Sequence, residues 1–254
     1  MHNKTLITHA PAFALFATLL VVWEIFVRTT QISNQILPSP LIIFQALIRN
    51  WDIMLPHLQQ TMLETLTGLF VAIIFGIITA VLLDTSPWVR KAIYPLLVTS
   101  QTIPIIALAP LLLIWLGFDM WSKVVIVTLF CFFPIAIAMA DGFARIDPEL
   151  EKLFKSMQAS YIDTMLFLKF PASLPSFFSG LRIAVTYSIT GAMVGEYVGA
   201  EKGLGVFIQT SANAYAISLV FATIFITSFL SLFLFWIVGF LENVFVPWAT
   251  NNET

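Results

Sequence analysis

Residues able to do chemistry are few in this chain, and they lie far apart. Glu196 is the strongest single candidate. It stands in an otherwise span-like run from Leu181 to Ala200, where an ionisable group costs about 2.5–3.5 kcal/mol at the bilayer centre and less near the interface. It therefore reads either as a translocation-pathway residue or as an outer-leaflet carboxylate reaching water. Gln101 and Thr102 precede a backbone break at Pro104 by one turn. These three are further pathway candidates, although Gln101 could equally hydrogen-bond a neighbouring helix. Arg182 reads as an anchor for its span, and Glu64 as an interfacial group at the outer start of another. The single cysteine, Cys131, lies in an apolar run and reads as buried. It leaves no partner for a disulfide or a multi-cysteine metal site. His2, His9 and His57 are scattered without ligand spacing, so neither metal nor cofactor is expected. No paired groups for acid–base or nucleophilic work occur, and G-x-x-x-x-G-K-[ST] is absent; Gly199-Ala200-Glu201-Lys202-Gly203 lacks its order and a preceding strand. The chain is expected to have no catalytic residues.

The elements that must position these side chains follow from composition. The 254 residues are 59% hydrophobic and 10% charged, against about 25% charged in soluble domains. So little charge cannot cover a surface facing water, and with a net charge of −2 no basic patch exists for nucleic acid. A span needs about 20 mainly apolar residues. Six runs qualify: Ala10 to Val27, Thr65 to Leu83, Ala92 to Phe118, Val124 to Ala140, Leu181 to Ala200 and Ala216 to Leu241. The first is too long for the apolar region of a signal peptide and has no small-x-small cleavage site, so it reads as an uncleaved helix. The expectation is an all-α, polytopic membrane bundle of about six transmembrane helices, one domain over residues 1–254 with its core at 60–241. Basic residues orient it. A cytoplasmic N-terminus places Lys4, Arg90, Lys91, Arg145, Lys152, Lys155, Lys169 and Arg182 inside and only Arg28, Arg49, Lys123 and Lys202 outside, with the C-terminus also inside.

Prolines at 95, 104, 110 and 134 interrupt the spans, which predicts that the third span is packed within a bundle that satisfies the freed carbonyls. Residues 29–64 read as an external connection, with a short interfacial helix that places Ile43, Phe44, Leu47 and Ile48 on one face. Glu24 and Arg28 are spaced to pair. The one sizeable polar segment, residues 141–178, reads as a cytoplasmic helix–turn–helix. Asp147-Pro148-Glu149 starts its first helix. The turn falls at Gln158-Ala159-Ser160, Ser160-x-x-Asp163 resembles a capping box, and the second helix ends at Pro171. Leu150, Leu153, Phe154 and Met157 form an apolar stripe that either folds back on the protein or docks into another one.

That loop resembles the signature loop of ATP-binding-cassette importer permeases, E-A-A, three residues, G, nine residues, I-x-L-P. The pattern falls on Lys152-Leu153-Phe154, Gln158 and Leu168-Lys169-Phe170-Pro171; spacing and proline agree, while the Glu, Ala and Gly positions differ. Leu37-Pro38-Ser39-Pro40, Pro104-Ile105-Ile106-Ala107-Leu108-Ala109-Pro110-Leu111, Trp115-Leu116-Gly117, Ala172-Ser173-Leu174-Pro175, Gly180-Leu181-Arg182 and Gly195-Glu196-Tyr197-Val198-Gly199 follow the order of the nitrate, sulfonate and taurine type of permease, over Leu37 to Leu241. The resemblance implies a bacterial cytoplasmic (inner) membrane, a homodimeric pathway, two ATP-binding subunits and an extracellular or periplasmic solute-binding protein. It implies that Leu153, Phe154, Met157, Gln158, Ala159 and Ser160 contact the ATPase. Gly195 to Leu241, with Leu219-Val220-Phe221-Ala222, is similar to the permeases for thiamine pyrimidine precursors; alkanesulfonate, taurine or nitrate are the alternatives. A stand-alone secondary carrier or channel would show inverted repeats and ion-coupling charges, neither of which the sequence displays.

Overall fold

The computed structural model describes the backbone of residues 2–250 and side chains from Pro11 to Trp248, Ala12 excepted. The sequence readings of the His2, Lys4 and His9 side chains, and of the tail beyond 250, fall outside the described residues. All regular structure among the described residues is helical. Five helices are long and apolar enough to cross a membrane: α1 (His2–Thr30), α3 (Trp51–Thr85), α6 (Met120–Ala144), the continuous stretch ending in α9 (Phe170–Gly199), and α11 (Ile217–Phe245). Shorter pieces are α2 (Pro40–Arg49), α4 (Pro87–Ser100), α5 (Ile105–Leu116), α7 (Pro148–Ser156), α8 (Tyr161–Thr164), α10 (Leu204–Asn213) and α12 (Pro247–Thr250).

The expected third span is not one helix. α4 and α5 meet at 97°, because Pro104 supplies no N–H and pushes Ile103 out of the helical region. The pair nevertheless crosses the bundle. Arg90 on α4 reaches Ala140 and Asp141 at one end of α6, while Ala109 and Leu113 on α5 pack with Ile126 near the other. Counted as one broken span, it brings the crossings to six. The expected packing of the third span is uneven: α5 buries Ala109 and Leu113, whereas α4 fully buries no residue and only rests Ile93, Tyr94 and Leu97 against the core. The C-terminal end of α4 is satisfied locally: Ile103 N–H takes Ser100 O, the carbonyl that Pro104 leaves free, at 3.2 Å, and Thr99 Oγ1 donates to Pro95 O, Ser100 Oγ to Leu97 O and Thr102 Oγ1 to Thr99 O, at 2.7–2.8 Å. Pro134 leaves α6 unbroken.

The centre is a layer of α3, α6 and α9, held at very short range. A methyl group on Gly68 would stand 2.5 Å from Val127 Cβ, and one on Gly180 only 2.6 Å from both Ala138 Cβ and Pro134 O. Small residues are the means by which helices associate in lipid, where burial from water supplies no drive. Between them lie Leu69, Ala72, Val127, Cys131, Ile135, Ala184, Val185 and Ile189, with the Cys131 thiol donating to Ala184 O at 3.3 Å. α1 is peripheral: Phe13, Leu15, Phe16, Leu19, Ile25 and Phe26 are all exposed.

Two boundaries differ from the sequence reading. The outer connection ends at Asn50, not Glu64. Residues 51–64 are already α3, and their polar members His57, Gln60 and Glu64 bond within the helix or to the α9–α10 turn. Within the connection α2 forms as expected, with Ile43 and Leu47 turned inward and Phe44 and Ile48 exposed. Glu24 pairs with Arg28 at 2.6 Å and also accepts Leu41 N–H at 3.0 Å, capping α2. Secondly, Pro171 does not end the helix. A π turn, Met165–Lys169, joins α8 to α9, with Phe170 N–H reaching Met165 O. The widened turn accommodates the ring that would otherwise clash with the Phe167 carbonyl.

Gly180→Ala should destabilise the bundle by about 2 kcal/mol through overpacking, read as a lower apparent melting temperature and a loss of monodisperse protein in detergent.

Candidate functional site

At the face carrying residues 141–178, the helix–turn–helix forms as read. Asp147 accepts Glu149 N–H at 2.9 Å, and Ser160 and Asp163 complete a reciprocal capping box at 3.0–3.1 Å. The turn between the helices closes with Gln158 N–H on Lys155 O (3.0 Å) and Ala159 N–H on Phe154 O (3.1 Å). This pair of bonds places Gln158 at φ 58, the left-handed region that favours glycine. The glycine of the family pattern thus falls on the one position of the turn where a side chain costs free energy. Of the stripe, Leu150, Leu153 and Met157 are exposed, Met157 to 70%, and only Phe154 is half-buried. Ile162, Leu166 and Phe167 extend the exposed apolar surface beyond the turn.

The loop is bolted to the spans by charges that sequence reasoning did not bring together. Lys169 Nζ lies 2.9 Å from Asp84 Oδ2 at the end of α3 and 3.0 Å from Glu151 on α7, with Lys169 and Asp84 each about 10% exposed. Asp141 accepts from Arg90 at 3.1 Å and from Tyr94 at 3.0 Å, fixing α4 to α6. Arg182, read as a simple anchor, pairs with Glu242 of α11 at 2.5 Å and stacks over Phe235.

At the opposite end Glu196 is 1% exposed, so it does not reach water there. Its Oε1 accepts from Thr61 Oγ1 at 2.5 Å and its Oε2 from Gly205 N–H at 2.6 Å. Thr61 Oγ1 in turn accepts Leu204 N–H at 2.8 Å, and His57 Nδ1 accepts Gly203 N–H at 3.0 Å. These side chains therefore take the otherwise unpaired first N–H groups of α10 and place a carboxyl group at its N-terminal end. Gly203, at φ 138, lies where any Cβ would enter the Glu196 carboxyl group. Glu64 is not interfacial: it is 1% exposed, accepts from Gln60 at 2.8 Å and lies against Glu196. Lys123, read as an outer-loop base, is buried, and its ammonium donates to the Phe118 and Asp119 carbonyls. With Gln60 and Glu64 it lines a cavity of about 500 Å3 at the end of the bundle opposite the loop. What concealed this knot is sequence separation: Thr61 and Glu196 stand 135 residues apart.

Gln101 and Pro104 line a different cavity, of about 280 Å3, with Phe130, Phe133 and Tyr187. Thr102 is exposed beside it. The structure therefore brings Gln101, Thr102 and Pro104 together at the broken span but holds Glu196 apart from them, in the knot with Thr61 and Gly205.

Six crossings, counting the broken pair as one, a central layer of three helices and a polar helix–turn–helix on one face are the architecture of a multi-pass membrane permease. Residues 72–245 match the family described as binding-protein-dependent transport system inner membrane component, and the chain belongs to that family. It is a multi-pass inner-membrane permease subunit of an ABC importer and not an enzyme; the ATPase is a partner subunit, and a binding protein supplies the solute. It is 40% identical to the formylaminopyrimidine transport permease protein of Halalkalibacterium halodurans, over 93% of this chain and 95% of the relative. It is 36% identical to a probable ABC transporter permease protein of Haemophilus influenzae (91% and 95%). A riboflavin transport system permease protein of Chloroflexus aurantiacus is 31% identical (95% and 92%).

Two substitutions check the geometry. Glu196→Ala removes a helix cap and strands buried donors, so it should cost about 3 kcal/mol, seen as early thermal unfolding of the purified chain. Gln158→Gly should raise stability by about 1 kcal/mol by relieving the left-handed residue, with transport by the assembled importer retained.

Proposed function

We propose that this chain is the permease for a pyrimidine precursor of thiamine, of the formylaminopyrimidine or hydroxymethylpyrimidine type. The observation that carries this reading is the 40% identity, over nearly the whole of both chains, to a formylaminopyrimidine permease. Two copies form the pathway, with two ATP-binding subunits on the cytoplasmic side and the binding protein outside. Both termini are cytoplasmic. The alternation of crossings, which brings α1 and α11 to the loop face at their free ends, and the excess of basic residues on that face support this orientation. The whole chain acts as one unit, with its core at residues 60–241 and its coupling loop at 141–178.

Leu153, Phe154, Met157, Gln158, Ala159 and Ser160 seat in a cleft of the ATPase. The exposure of Leu153 and Met157 favours docking over folding back. Closure of the ATPase dimer then moves the loop, and the Lys169 bridge from Glu151 on α7 to Asp84 carries that motion into α3 and α9. Gln101, Thr102 and Pro104 border the pathway at the broken span. Glu196 acts from the outer end, where α9 and α10 are held to α3 and where access must alternate.

Reconstitution with the partner ATPase and binding protein tests this directly. ATP-dependent uptake of labelled formylaminopyrimidine is the expected result; uptake of alkanesulfonate, taurine or nitrate with none of the pyrimidine would overturn it. Replacing Gln158, Ala159 and Ser160 together by Glu should lower uptake at least tenfold while the helical content is unchanged. Unaltered uptake would argue against docking at that turn.

A further inference from the structure

The cavity at the broken span has a composition unlike the rest of the membrane-facing surface. Phe130 and Phe133 of α6 and Tyr187 of α9 supply three aromatic side chains, and Gln101 supplies a primary amide at the end of α4. Neither acid nor basic cation lines it. Two of the rings are held in place. Phe133 packs edge-on against Phe132, with centroids 5.1 Å apart at 67°, and Phe130 occupies the space left by Gly191, where a Cβ would stand 3.0 Å from the ring. The two polar groups are unspent: neither the Gln101 amide nor the Tyr187 hydroxyl has a hydrogen-bond partner among the described residues. Both residues are exposed, as are Thr102, Thr186 and Thr190 nearby in the break and on α9. A polar face at mid-span borders water or a partner copy rather than acyl chains.

We propose that this cavity is a transit subsite for an uncharged, planar nitrogen heterocycle, sandwiched by Phe130, Phe133 and Tyr187 and paired edge-on with the Gln101 amide. The chemistry is complementary group by group. Aromatic side chains stack on any flat π-system and so tolerate different substituents. A primary amide offers one donor and one acceptor side by side, the pattern that pairs with a ring nitrogen adjacent to an exocyclic amino group, as Gln does with adenine. A volume of about 280 Å3 lies just below the range of about 300–1,000 Å3 typical of sites for drug-sized ligands, which suits one ring with small substituents. The lack of a cation disfavours sulfonate and nitrate as occupants. The first-turn N–H groups of Ile105 and Ile106, at the start of α5, are the one feature that would draw an anion, and the test includes one for that reason.

The inference rests on the permease reading above, but it can fail separately from it. The permease–ATPase complex, in nanodiscs and without binding protein, would be titrated with 4-amino-5-hydroxymethyl-2-methylpyrimidine and, in parallel, with taurine. Binding would be followed by saturation-transfer NMR. The expected result is saturable pyrimidine binding that weakens about tenfold in Phe133→Leu, which removes a stacking face, and by a similar factor in Gln101→Leu, which removes the paired edge; taurine should give no saturable signal. The two substitutions lie on different elements, so misfolding of one leaves the other to report. Absent or non-saturable pyrimidine binding, binding indifferent to both substitutions, or an equal response to taurine would each overturn the subsite. Uptake by the complete importer separates the two failures. Pyrimidine uptake without a subsite signal refutes only this inference, whereas no pyrimidine uptake refutes the proposed substrate.

Discussion

The close approach of α3, α6 and α9 is the constraint from which the rest of the molecule follows. Lipid tails are as apolar as leucine, so these helices are not driven together by escape from water. They hold by dispersion and by backbone proximity, which Gly68 and Gly180 permit. A layer packed so tightly cannot flex internally without losing its contacts. Movement must therefore occur as rigid displacement of this layer against the elements around it, and α1, whose apolar residues are mostly exposed in the single chain, is the least restrained of those.

Charge is placed to suit that division. The ion cluster at Asp84, Lys169 and Glu151 ties the loop to the near end of the layer, and the knot at Thr61, Glu64 and Glu196 ties α9 and α10 to its far end. Between them the interior is almost wholly apolar. Directional bonds thus act at the two rims, where access to water must change, and non-directional packing fills the middle. Breaking either bolt leaves a buried group without its partner, which is costlier than the bond itself is stabilising.

Much of this was legible in the sequence, for identifiable reasons. Apolar runs gave all six crossings, and Pro104 marked the break, because both depend on local composition and backbone geometry. The Asp147 start and the Ser160–Asp163 box were legible because capping spans only three residues. Glu64 and Lys123 read as groups near water but are buried, as is Glu196, whose water-reaching alternative fails, since an ionisable residue close to a span end looks interfacial until its distant partner is known. Residues 51–64 looked like a loop for the same reason: their polar side chains serve contacts on α9 and α10. Pro171 was taken as a helix end because a proline's clash is predictable, whereas the π turn that removes it is not.

That π turn has a consequence for how the loop and the span are phased. Each residue advances an α-helix by about 100°, so accommodating five residues in a wider turn, Met165–Lys169, offsets the face of α8 from the face of α9. The exposed surface of the loop and the surface packed in the layer are consequently set by separate angular registers. Sequence on one side of the joint can therefore change without re-aiming the residues on the other, which leaves the loop and the span free to vary independently.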